Sequence, residues 1–102
     1  MTKPFYSQCV LHFMRFYSRY PDLTHFKSEA DKTNWLACKS ALKHYSDRDK
    51  QMLMQVYAGR DTLPNNVYET AIKFNINIDD IWDMLPAFER LVAKKRGLIW
   101  YE

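Results

Sequence analysis

Only two glycines, Gly59 and Gly97, occur in 102 residues. Folds built from short strands need glycine in their tight turns, so a chain this poor in it is driven toward helices. The apolar residues point the same way. In five segments they recur at three- and four-residue spacing, the period of a helix with one face on a core. An aromatic share of 16% supplies bulky side chains able to offset the entropy lost on ordering. The sequence therefore predicts an all-α fold of about five helices. There is room for one domain and one core, residues 1–102. An N-terminal helical pair, 1–45, should pack on a C-terminal three-helix unit and its tail, 46–102.

The first helix is expected from about Phe5 to Tyr20. Phe5, Cys9, Phe13, Phe16 and Tyr20 form an apolar stripe that Tyr6, Val10 and Tyr17 widen. Pro21-Asp22 ends it. A helix apolar around so much of its circumference is either central or covered by a second copy of the chain, so a homodimer is one expected assembly. Its aromatic residues read as core, or as a platform for stacking bases.

The second helix starts at the N-cap Ser28 and runs to about His44, with Trp35, Leu36, Cys38, Ala41 and Leu42 on its apolar face. Lys32, Lys39 and Lys43 line its polar face, as a solvated surface or as a stripe facing phosphates. Ser46-Asp47-Arg48-Asp49 caps a third helix that buries Met52, Leu53, Val56 and Tyr57. Gly59 is expected in the left-handed position that ends it. Thr62-Leu63-Pro64 opens a fourth helix carrying Val67, Tyr68, Ala71, Ile72 and Phe74. After the turn Asn75-Ile76-Asn77, Asp79 is expected to cap a fifth helix with Ile81, Leu85, Phe88, Leu91 and Val92 inward. Pro86 should kink or break it. The apolar tail Leu98-Ile99-Trp100-Tyr101 should dock on the domain or on a partner.

Several function classes are disfavoured. The N-terminus lacks the apolar run of a signal peptide, and no stretch approaches the roughly 20 apolar residues of a membrane span. A cytoplasmic location without membrane contact is expected. Cys9 and Cys38 fall in helical patterns and read as core cysteines. A zinc site from Cys9, His12, Cys38 and His44 lacks the ligand spacing of a finger or ribbon. His12, His25 and His44 are dispersed, and no glycine-rich phosphate loop or nucleophile motif occurs. Neither an enzyme nor a cofactor is expected.

Residues 67–85 carry the packing pattern of a helix-turn-helix. A small residue, Ala71, sits where two helices would cross. Asn75, four positions on, tolerates positive φ, and Ile81 returns to the crossing. Phe74, Ile76 and Met84 fill the remaining apolar slots. With the third helix in front, residues 46–96 resemble region 4, the C-terminal DNA-binding region of bacterial sigma factors. They are also similar to phage transcriptional activators of low-GC Gram-positive bacteria. The phrase YSDRDKQMLMQVYAG, followed by a helix, a turn and a final basic helix, carries the likeness.

The resemblance implies a transcription regulator of phage or mobile-element type whose fifth helix enters the major groove. The residues at that helix start are Asn77, Ile78, Asp79, Asp80, Trp82 and Asp83. Three carboxylates there oppose the cation-for-counterion exchange that drives DNA binding. One could accept from cytosine N4, and Asp79 could serve as a cap. Phosphate contacts would fall to Arg90, Lys94, Lys95 and Arg96, with Lys73 and Asn77 nearby. The basic run near Gly97 equally complements the negative end of the helix dipole. Charge is also unevenly placed. Residues 1–45 carry seven Lys/Arg against three Asp/Glu, and residues 46–102 carry eight against nine. The basic surplus thus lies outside the helix-turn-helix half. Two expectations follow: an accessory or regulatory protein that binds DNA, or a protein-interaction module that keeps the fold and uses Trp82, Trp100 and Tyr101 to hold a protein partner.

Overall fold

A computed structural model describes residues 4–99. Five helices follow one another: α1 (Ser7–Arg19), α2 (Glu29–Leu42), α3 (Asp47–Ala58), α4 (Leu63–Phe74) and α5 (Ile78–Arg96). No strand occurs among the described residues. The fold is all-α, as its periodicity and glycine scarcity require.

Local chemistry sets the helix ends. Ser28, Ser46 and Thr62 each accept a hydrogen bond from the backbone N–H three residues on, at Asp31, Asp49 and Asn65. Each satisfies a donor that the first turn cannot pair. At the fifth helix the cap is Asn77 rather than the expected Asp79: Asn77 Oδ1 accepts from the Asp79 N–H at 2.9 Å. Asp79 then lies inside the first turn, where its charge suits the dipole. Asn75 adopts the left-handed conformation (φ 55°, ψ 53°), and the Ile76 N–H bonds back to the Ala71 carbonyl at 3.1 Å. Gly97 (φ 88°) ends α5 in the same way, with Leu98 N–H reaching Ala93 O.

Gly59 corrects a second expectation. Its φ of −58° and ψ of 147° are open to any residue, so it does not supply a left-handed cap. Its need for glycine comes from a close approach instead. The buried Asn66 lies against it and donates through Nδ2 to the carbonyls of Gly59 (3.1 Å) and Asp61 (3.3 Å). Pro86 does not break α5, which runs unbroken past it. Pro86 lies on the exposed side, where water can serve the Trp82 carbonyl that has lost its donor.

The core draws on all five helices. Val10, Met14, Tyr17, Cys38, Leu42, Leu53, Val56, Tyr57, Val67, Ile81, Phe88 and Val92 meet in one cluster, which Ile99 of the tail joins. α1 packs on α2, α3 and α5; α2 packs on α5; α4 bridges α3 and α5. The N-terminal pair is thus built into the C-terminal unit. The radius of gyration of 13.2 Å matches the roughly 13 Å expected of a compact chain this size.

α1 presents a different stripe from the expected one. Tyr6, Val10, Phe13, Met14 and Tyr17 are buried, whereas Phe5, Cys9 and Tyr20 are exposed. Cys9 is therefore no core cysteine; Cys38 is, and burial pushes its thiol up to about 12. Leu36 of α2 also turns outward. Among the described residues no helix is long and apolar enough to cross a membrane, and no group of three or more His, Cys, Asp or Glu is placed to hold a metal ion.

Candidate functional site

The α4–turn–α5 segment packs in a way consistent with a helix-turn-helix-like unit, with Phe74, Ile76 and Met84 half-buried. Ala71 is buried at the crossing, Asn75 makes the left-handed turn and Ile81 is buried beneath it. Val67 and Thr70, both fully buried, complete the inner side of α4. Thr70 Oγ1 donates to Asn66 O at 2.7 Å, which lets a hydroxyl sit in the core without loss.

The outer side of this segment is unusual. Tyr68 and Ile72, one turn apart on α4, are 57% and 60% exposed. They border a groove of about 480 Å³ with Ala71, Asn75, Ile76 and Ile78. Trp82, one turn beyond Ile78 on the same side of α5, is 36% exposed and extends the apolar strip. Asp79, Asp80 and Asp83 are all exposed at the start of α5. Asp79 and Asp83 follow Ile78 and Trp82 round α5, whereas helical spacing turns Asp80 to the far side.

The expected basic contacts lie elsewhere. Lys95 is exposed, while Arg90 and Lys94 are half-buried and engaged in contacts of their own. Arg96 reaches across to α2, where its Nε donates to Asn34 Oδ1. Fifteen residues separate Asp80 from Lys95, roughly 22 Å along a helix. That exceeds the Debye length of about 8 Å at physiological salt, so Lys95 is screened from Asp80, whereas Arg90 stands two turns, roughly 10 Å, beyond Asp83. Lys73, near the end of α4, donates through Nζ to Gln55 Oε1 of α3 at 3.1 Å. Asn77 spends its side-chain oxygen on the cap. On α2, Lys39 lies over the Trp35 ring at 5.2 Å from its centroid, while Lys32 and Lys43 are exposed. Trp100 and Tyr101 lie outside the described residues.

The groove thus joins Tyr68 and Ile72 of α4 to Ile78 of α5, with Trp82 one turn beyond Ile78. Arg90 and Lys94 follow Asp83 on its own side of α5, two and three turns on. Tyr68 and Ile72 are the members whose exposure the helical pattern alone leaves open. A signal for them exists: α4 has apolar residues at 67, 68, 71, 72 and 74, more than the inner face of one helix can bury. In comparisons with known proteins, no family model, no curated protein and no solved structure matches this chain.

Proposed function

We propose that this chain is a small accessory or regulatory binding protein whose helix-turn-helix scaffold holds a protein partner rather than reading DNA. The observation that carries this reading is the groove bordered by exposed Tyr68 and Ile72 and half-buried Ile78, with exposed Trp82 one turn beyond and Asp79 and Asp83 at the same end of α5. An apolar groove flanked by carboxylates suits an amphipathic segment with apolar anchors and Lys or Arg at its edges. DNA is the poorer fit. At 4 Å each carboxylate–phosphate pair costs on the order of 1 kcal/mol in water and more near a protein surface.

A second reading is a DNA-binding regulator of the region 4 kind. It draws support from the turn geometry at Asn75 and from exposed Lys32, Lys43 and Lys95. One variant separates the two. Asp80→Asn with Asp83→Asn is measured against labelled duplex DNA by fluorescence anisotropy across a salt series, and against any partner captured by the wild-type protein. Under the protein-partner reading, DNA binding stays absent and association with the partner slows. An affinity for DNA that rises in the variant at low salt, and fades as salt increases, would establish the DNA reading instead.

A further inference from the structure

Away from the α4–α5 face, a cavity of about 430 Å³ opens between the C-terminal half of α1, the connection 20–28 and the first turns of α2. Its size falls within the roughly 300–1,000 Å³ of small-ligand sites. Phe16, Tyr20 and Phe26 contribute flat aromatic walls. Phe16 and Tyr20 lie 5.8 Å apart between centroids, and Phe26 packs edge-on against the buried Trp35 at 5.5 Å. Trp35 Nε1 in turn donates to the Tyr20 carbonyl at 2.9 Å, tying the connection to α2. The cavity is thus preformed.

The polar lining is ordered as well. Arg96 Nε has only a proton to give, so the Asn34 atom it meets must be the amide oxygen. The Asn34 Nδ2 donors are left without a partner among the described residues. Asp31, three residues earlier and on the same side of α2, has a half-buried carboxylate likewise unpartnered among them. Asn34 and Asp31, one turn apart on α2, thus bring a donor and an acceptor to the lining of an aromatic cavity, with exposed Lys27 also lining it.

We propose that this cavity binds a guanine base, carried by a nucleotide. The edge of guanine offers two adjacent N–H donors beside a carbonyl acceptor. The Asp31 carboxylate accepts the first two, Asn34 Nδ2 donates to the third, and the ring stacks on the aromatic walls. Adenine presents an amino donor beside a bare ring nitrogen, which would face the carboxylate oxygens with no proton between them. Lys27 suits the phosphate. The base could arrive on a free nucleotide or in an unpaired strand.

Guanosine monophosphate, adenosine monophosphate, inorganic phosphate and a single-stranded hexanucleotide with one guanine are titrated against the intact chain, with amide NMR shifts and calorimetry as readouts. The expected result is saturable binding of guanosine monophosphate with shifts among residues 13–34. It should exceed adenosine monophosphate by roughly ten-fold or more, the worth of a charge-assisted hydrogen bond. Asp31→Asn should lower the guanosine affinity by a similar factor while melting falls by no more than a few degrees, the worth of one first-turn charge, since the Ser28 cap uses the Asp31 backbone and not its side chain. A hexanucleotide that binds more tightly than the mononucleotide at the same residues identifies a strand as the source; the reverse identifies the free nucleotide. Absence of saturable binding to both, equal affinity for the adenine nucleotide, or indifference to Asp31→Asn overturns the proposal. Should Asp31→Asn fold poorly, the guanine-over-adenine preference of the wild type decides alone.

Discussion

Replacing Gly59 with alanine tests why that residue is glycine. Its φ of −58° is comfortable for alanine, so backbone strain predicts no loss. A shorter unfolded ensemble even predicts a gain of about 0.4–1 kcal/mol. Packing predicts the opposite. A Cβ at Gly59 would stand 2.7 Å from Asn66 Nδ2 and closer still to the rest of that amide. Asn66 is buried and its Nδ2 holds two carbonyls, so it cannot swing aside without losing both bonds. Two hydrogen bonds at about 0.5–1.5 kcal/mol each, less the entropic gain, give a net loss of about 1–2 kcal/mol. Urea denaturation followed by far-ultraviolet circular dichroism measures it. The decisive comparison is a cycle with Asn66→Ala. Once the amide is gone, Gly59→Ala should become neutral or stabilising. A loss of the same size in both backgrounds would refute the close-approach account.

Two further outcomes follow from buried polar groups. Tyr57→Phe should raise stability by about 1 kcal/mol in the same denaturation assay, because the buried hydroxyl has no hydrogen-bond partner among the described residues; a clear loss would mean that it has one. Stability should fall as pH rises from 9.0 toward about 12, because burial keeps the Cys38 thiol protonated in the fold while the unfolded chain releases its proton from 9.0 upward. Tyr57, Tyr17 and Tyr45, also raised by burial, add to this loss at the alkaline end, and Cys38→Ala should flatten its beginning.

The caps at Ser28, Ser46 and Thr62, the left-handed Asn75 and the buried sides of α3 and α5 are legible in the sequence because each depends on neighbours within about one turn. Other features depend on distant partners. Gly59 is held by Asn66 and Arg96 by Asn34, and no local pattern points across those distances. α1 is a different failure: with apolar residues on almost every side, periodicity cannot choose between the stripe through Tyr6, Phe13 and Tyr17 and the one through Phe5, Cys9 and Phe16. At α5 two eligible caps stand two residues apart, and Asn77 takes the role through its contact with the Asp79 N–H. The candidate groove was half visible, through Trp82, Ile78, Asp79 and Asp83. Its other wall, Tyr68 and Ile72, is not legible, because apolar spacing on α4 does not say which of its five apolar residues face outward.

The shared core bears on how such a chain can change over generations. A recognition unit that carries its own core can be copied intact into another protein and still fold. Here the helices of the first half fill the spaces between those of the second, with α2 along α5 and α1 against α3. A recombination event near residue 45 would hand the recipient two exposed apolar faces instead of a working part. A cut there would cost both halves their core, so the exposed faces of such a chain change most readily by substitution on a scaffold that stays whole.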